Sequence, residues 1–188
     1  MRYATALIAL LFVAPTNAAM YKPEQASCRI YNHEGGGRQS IGSGTLVGQS
    51  PDRSKGLIIT CSHIFDDGSK GITIKMRDGK RYQATIIRRD KLADLCALTI
   101  NNPHITGVRV NYLVTQKKFS ACGFGSTGVY RCATGEFFDV THCEDSNGNK
   151  TRTNMMINRS IRSGDSGGGV FNASGELVAV AWGRRDRY

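Results

Sequence analysis

The residues in this chain best suited to covalent chemistry lie in three short stretches. Gly164-Asp165-Ser166-Gly167-Gly168-Gly169 frames one serine with four glycines. At average amino-acid usage such a string arises by chance about once in ten million start positions, which argues against a generic glycine turn. Glycines let the backbone turn sharply, keep Cβ atoms away from an approaching substrate and let N–H groups converge. The N–H groups of Gly164 and Ser166 would then face the oxyanion that develops during acyl transfer. A serine hydroxyl is a weak nucleophile until a base removes its proton, and histidine is the usual base near neutral pH. Thr60-Cys61-Ser62-His63 follows the apolar run Gly56–Thr60, and a strand end is where such a histidine reaches a cleft. His33 precedes a glycine run, His104 lies in a connector and His142 sits beside Cys143; these read as surface or structural residues. In Leu92-Ala93-Asp94-Leu95-Cys96-Ala97-Leu98 a single acid stands in an apolar run. Its burial is costly unless the charge has a use, and orienting an imidazole is such a use. Read alone, the same acid could cap a turn.

Elements able to position these residues are short and β-rich. Runs at Ala26–Tyr31, Ser40–Gly48, Gly56–Thr60, Ile72–Met76, Arg81–Arg88 and Cys96–Ile100 fill the first half. Asp78-Gly79 marks a hairpin turn between the fourth and fifth runs. The second half offers Phe119–Gly123, Tyr130–Phe138, Asp139–Cys143, Asn154–Ile157, Gly168–Phe171 and Glu176–Trp182. Two sets of about six short strands joined by a connector predict an all-β fold of two packed antiparallel barrels. Periodicity alone does not separate this from one β-sandwich. The expected divisions are a first barrel at about 25–100, a linker at 101–112 and a second barrel at about 113–188.

Residues 1–19 read as a signal peptide. Arg2 precedes the apolar run ALIALLFVA, and Thr16-Asn17-Ala18 supplies small residues for cleavage near Ala18 or Ala19. The run is short for a membrane span, so the chain from residue 20 is expected to be secreted or periplasmic, with no span after signal removal. In an oxidising compartment the six cysteines predict disulfides. If His63 and Asp94 meet, their neighbours Cys61 and Cys96 could form a bridge or a shared buried thiol pair. No C-x-x-C pair is present, and no metal or organic cofactor is expected. The formal net charge of +10 comes from dispersed Lys and Arg. That pattern implies weak, non-specific attraction to anionic surfaces and no specific nucleic-acid partner.

Taken together, the order His63, Asp94, Ser166 resembles the trypsin/chymotrypsin superfamily of serine peptidases. The resemblance runs from about Ser40 to Trp182. Ile41-Gly42-Ser43-Gly44-Thr45-Leu46-Val47 resembles the strand before the family's histidine loop. Asp78-Gly79 through Leu98 is similar to bacterial peptidases of the HtrA-related group, although the chain leaves no space for a PDZ domain. The resemblance implies a secreted serine endopeptidase acting on polypeptides, with His63, Asp94 and Ser166 as its triad and an acyl-enzyme intermediate. It also implies that Ser160 lies near the base of the substrate pocket and Ile161–Ser163 along its wall. Ala181-Trp182-Gly183 would align substrate backbone by β-pairing. A neutral Ser160 implies no built-in preference for Lys or Arg. Two departures matter. No N-terminal activation motif occurs, so Asp165 needs another partner, Arg162 or a backbone donor. The chain ends 22 residues after Ser166, which predicts a second barrel short of its last strand. The rival readings are a catalytically idle relative that binds a protein through the same cleft, and a basic module that binds an anionic polymer.

Overall fold

The computed structural model of the protein describes residues 22–113, 116–144, 150–158 and 161–182. After one helical turn at Pro23–Ala26 (α1) come six strands: β1 (Ser27–Gly35), β2 (Arg38–Gln49), β3 (Lys55–Thr60), β4 (Gly71–Met76), β5 (Arg81–Asp90) and β6 (Leu95–Asn101). Strict alternation builds this half. In β4, Ile72, Ile74 and Met76 turn inward, and in β6 Cys96, Leu98 and Ile100 do the same, with less buried residues between them. Period-two patterning of this kind gives each strand one apolar face, which a closed sheet can bury completely. The strands close into an antiparallel barrel in the order β1-β2-β3-β6-β5-β4, which leaves no free edge. Ile30, Leu46, Ile58, Ile74, Leu98 and Ile100 fill it and are at most 1% exposed. The Asp78-Gly79 hairpin joins β4 to β5 as expected, with Asp78 Oδ1 accepting the Lys80 N–H at 3.0 Å.

The second half contains β7 (Lys118–Gly123), β8 (Arg131–Glu144), β9 (Lys150–Ile157), β10 (Gly169–Phe171) and β11 (Leu177–Val180). They form an antiparallel sheet ordered β11-β10-β7-β8-β9, and among the described residues β11 and β9 are its edges. The runs Tyr130–Phe138 and Asp139–Cys143, expected as separate strands, fall in one long strand. The ladder to β9 continues across a register shift between Phe137 and Asp139. A bulge absorbs the extra residue without ending the pairing. Phe171, Leu177 and Cys122 from this half pack onto the barrel core, while Phe119, Ala121, Val170 and Ala181 form a smaller cluster of their own. The connector is extended and attached to the second sheet, where Val110 bridges Leu177 in parallel.

Of the two arrangements expected for Cys61 and Cys96, the bridge is absent and both thiols are buried, while a pairing the sequence left open is present. Cys122 and Cys132 face each other across β7 and β8 and form a disulfide. No Cys61–Cys96 bridge forms; both thiols are free and buried, as is Cys28. The β3–β6 register explains this, because Cys96 stands opposite Thr60 rather than Cys61. A one-residue offset turns a side chain to the other face of a sheet. Burial also pushes the Cys96 thiol up to about 11, and that of Cys28 further still. The Cys143 side chain, the expected signal segment 1–19 and the C-terminal residues 183–188 lie outside the described set.

Candidate active site

His63 opens a single 3-10 turn, His63–Phe65, directly after β3. Three side chains from the barrel hold this loop. Asp94 is the nearest: its Oδ2 lies 2.8 Å from His63 Nδ1, and its Oδ1 accepts the backbone N–H groups of Ser62 and His63 at 2.9 and 2.8 Å. The acid in the apolar run is therefore buried with its charge fully used, at 9% exposure. It sits at φ +50°, a left-handed conformation that Asp tolerates better than most residues. The second is Arg89 at the end of β5. It donates to the Ser62 hydroxyl at 3.0 Å, the Ser62 carbonyl at 2.9 Å, the Phe65 carbonyl at 3.0 Å and Asp66 Oδ1 at 2.6 Å. Asn32, buried within β1, is the third; its amide donates to the Ile64 and Gly68 carbonyls, both at 2.9 Å. The imidazole itself is 40% exposed, so it is held in place while still open to solvent. Beside it lies Cys61, whose Sγ is 3.6 Å from His63 Nε2. Burial, reinforced by the Asp94 carboxylate, holds that thiol well above its ordinary range.

The serine loop is built differently. Gly164 and Gly167 have φ values of +85° and +84°. A Cβ on Gly167 would stand 2.0 Å from Thr60 Oγ1 and 2.2 Å from the Ser43 carbonyl, so only glycine fits there. Asp165 is the loop's buried anchor. Its carboxylate accepts the Gly125 N–H at 2.8 Å, the Arg162 N–H at 2.8 Å and two guanidinium hydrogen bonds from Arg162 at 2.9 and 3.1 Å. Arg162 and a backbone donor thus supply the partners expected for Asp165.

Ser43 of β2 joins the two halves. Its N–H donates to the Ser166 carbonyl at 2.7 Å and its hydroxyl donates to the Gly164 carbonyl at 2.8 Å. The same hydroxyl accepts the Phe124 N–H at 3.0 Å, and the Ser43 carbonyl accepts the Thr60 hydroxyl at 2.7 Å. The seam sets Ser166-Gly167 against the start of the His63 loop. The Ser166 hydroxyl donates to the Trp182 carbonyl at 3.4 Å. Ala181 is buried, exchanging N–H···O bonds with Gly167 and Gly168, and Ile161 packs on the Phe119–Val170 cluster. Ser160 and Gly183 lie outside the described residues.

Sequence reading missed Asn32, Arg89 and Ser43. Two carried a signal. Asn32 is a polar residue at an inward position of the alternation set by Cys28 and Ile30, and Ser43 stands between two strand glycines, a mark of close backbone approach. Arg89 sits in an ordinary charged run with nothing to distinguish it.

A closed barrel and a second sheet meeting over this seam have the chymotrypsin-like double-barrel arrangement. The trypsin-like peptidase domain family matches residues 42–180, and the chain belongs to that family. Among curated relatives, it is 27% identical over 166 residues to the periplasmic serine endoprotease DegP of Salmonella typhimurium, covering 79% of this chain and 32% of DegP. It is 26% identical over 180 residues to the serine endoprotease DegS of the same species, covering 89% of this chain and 48% of DegS. The chain thus spans about a third to a half of the relatives it matches. A protease from M. tuberculosis in its active form superposes with a TM-score of 0.74 at 19% identity, over 92% of this chain and 78% of that one. A serine endoprotease from Yersinia pestis gives 0.66 at 22%, over 89% and 58%. At these identities the structures establish the fold alone. Among the described residues no helix is long and apolar enough to cross a membrane.

Proposed function

We propose that this chain is a serine endopeptidase that hydrolyses peptide bonds through Ser166, His63 and Asp94. The observation that carries the reading is the Asp94 carboxylate, which binds His63 Nδ1 at 2.8 Å and at the same time fixes the His63 backbone. That contact sets the tautomer in which Nε2 bears the lone pair, as a general base requires. Ser166 Oγ adds to the scissile carbonyl carbon while its proton passes to His63 Nε2. The tetrahedral oxyanion is met by the N–H groups of Gly164 and Ser166. In the same loop, the N–H groups of Asp165, Gly167 and Gly168 are committed to the carbonyls of Arg162, Ala181 and Asp165. Collapse expels the amine, which takes the proton from the imidazolium, and water then hydrolyses the acyl-enzyme by the same route.

The substrate is a polypeptide whose backbone pairs along 181–183. The family resemblance assigns Ser160 and Ile161 to the substrate pocket, and on that assignment small or medium apolar side chains are preferred over Lys and Arg. The periplasmic setting of the relatives and the apolar N-terminal run support export of the mature chain to a periplasmic or extracellular site.

The test is covalent labelling with a fluorophosphonate probe. Labelling of wild type that disappears in Ser166→Ala is expected, together with a loss in kcat for Ser166→Ala or His63→Ala approaching about a million-fold. Absence of labelling in well-folded wild type would favour the catalytically idle relative, and near-native turnover in either variant would overturn the triad.

A further inference from the structure

The reaction just described leaves one buried nucleophilic group beside its base without a task. Cys61 Sγ and His63 Nε2 stand 3.6 Å apart. Cys61, His63 and Asp94 each offer a ligand atom, all within 4.8 Å of one another, and among the described residues this is the one group of three such donors. A tetrahedral ion with bonds of about 2.3 Å to a thiolate and about 2.05 Å to an imidazole holds those two donors about 3.5 Å apart. The observed separation is that bite. On the far side of the ring, Asp94 Oδ2 holds Nδ1 at 2.8 Å, which leaves Nε2 as the ring nitrogen that faces Cys61. A carboxylate behind a histidine is the usual outer support of a metal-binding imidazole.

We propose that a divalent metal of the zinc class binds between Cys61 Sγ and His63 Nε2, and that the bound ion withdraws the catalytic base from use. One thiolate and one imidazole select zinc-like ions over magnesium or calcium, which prefer oxygen donors. Binding forms one metal–sulfur and one metal–nitrogen bond and breaks the S–H bond. The proton passes to solvent and no electron is transferred. Asp94 stays on Nδ1, and water completes the coordination. The ion arrives from the side of the imidazole, which is 40% exposed, and reaches the buried Sγ 3.6 Å from Nε2. Two protein ligands give a reversible, chelator-sensitive site, suited to control rather than to folding. The inhibitory part of this proposal rests on His63 being the base; the binding part does not.

Two measurements on the full chain keep these parts separate. Binding is read with Co2+ on Ser166→Ala protein, through the near-ultraviolet thiolate-to-cobalt band, and competed with Zn2+. The band is expected to saturate near about one equivalent, to vanish in Cys61→Ala and Cys61→Ser, and to need about 10- to 100-fold more metal in Asp94→Asn. No band in folded protein, or an undiminished band in both Cys61 variants, overturns the site. Inhibition is read as each protein's peptide hydrolysis with Zn2+ relative to its own metal-free rate. Wild type should lose at least about tenfold, restored by chelator, whereas the Cys61 variants should change by less than about twofold. A saturable band without inhibition overturns the regulatory claim. Failure of the peptidase reading would show instead as no metal-free turnover, and the cobalt titration would still decide the metal site.

Discussion

The two halves hold their functional residues by different means. The first is a closed barrel in which Asn32, Arg89 and Asp94, on β1, β5 and the turn before β6, reach out to clamp the His63 loop with directed hydrogen bonds. The second is a sheet with a small core, and it shapes the Ser166 loop through left-handed glycines and one buried ion pair. On the proposed reaction, the difference follows from what each group does. A base needs its ring oriented while remaining accessible, which side-chain bonds to a rigid barrel achieve. An oxyanion site needs backbone N–H groups aimed at one point, which only an unusual backbone path achieves.

The comparison breaks most sharply at Gly167. Gly167→Ala forces a Cβ to within 2.2 Å of Ser43 O at a positive φ. It is expected to abolish fluorophosphonate labelling and to cost several kcal/mol, about 3 or more, in chemical denaturation. Gly79→Ala in the barrel's hairpin also has a positive φ but nothing within 4 Å, and should cost only about 1 kcal/mol. Equal effects at the two sites would refute the claim that close packing, and not the positive φ alone, demands glycine at 167.

Asp165→Ala is expected next in size. It leaves the Arg162 guanidinium and two backbone donors without their acceptor, at about 2–3 kcal/mol, less than for an enclosed pair because Arg162 is part-exposed. Thermal unfolding with near-wild-type stability would show that the pair does not anchor the loop. In the barrel, Arg89→Met should leave the fold intact and lower kcat by about a hundredfold through misplacement of His63. Arg89→Lys should not restore it, since one ammonium cannot span the acceptors that the guanidinium fork reaches.

The smallest effect concerns pH. Asn172 and Asn111 donate to the Glu176 carboxylate at 2.8 and 2.7 Å and hold it below its ordinary range, tying the connector to the β10–β11 hairpin. Because the folded carboxyl binds its proton less readily than the unfolded one, its contribution is present above about pH 4.3 and fades as pH falls through and below that value. Denaturation at pH 6 and pH 3.5 should show a loss that is smaller in Glu176→Gln. An equal loss in both proteins would place the acid sensitivity elsewhere.

Much of this was legible in the residues. Ten of the expected strand runs map onto the observed strands within a few residues, because period-two alternation and turn residues such as Asp78-Gly79 act locally. The two remaining runs merged in β8, where the bulge at Phe137–Asp139 mimics a strand boundary in the sequence. The His63–Asp94 contact followed from the cost of an unused buried charge. The cysteine pairing did not, because it depends on the register that opposes Thr60, not Cys61, to Cys96.

The sequence by itself determined the strand content and the candidate reacting residues, since each is set by local pattern or by the chemistry of a single side chain. Tertiary structure alone decided which thiols pair, which side chains clamp the His63 loop, and that Ser43 joins the halves. Those outcomes depend on strand register and on the approach of segments far apart in the chain, and a hydrogen bond between distant residues leaves no periodic trace in either of them.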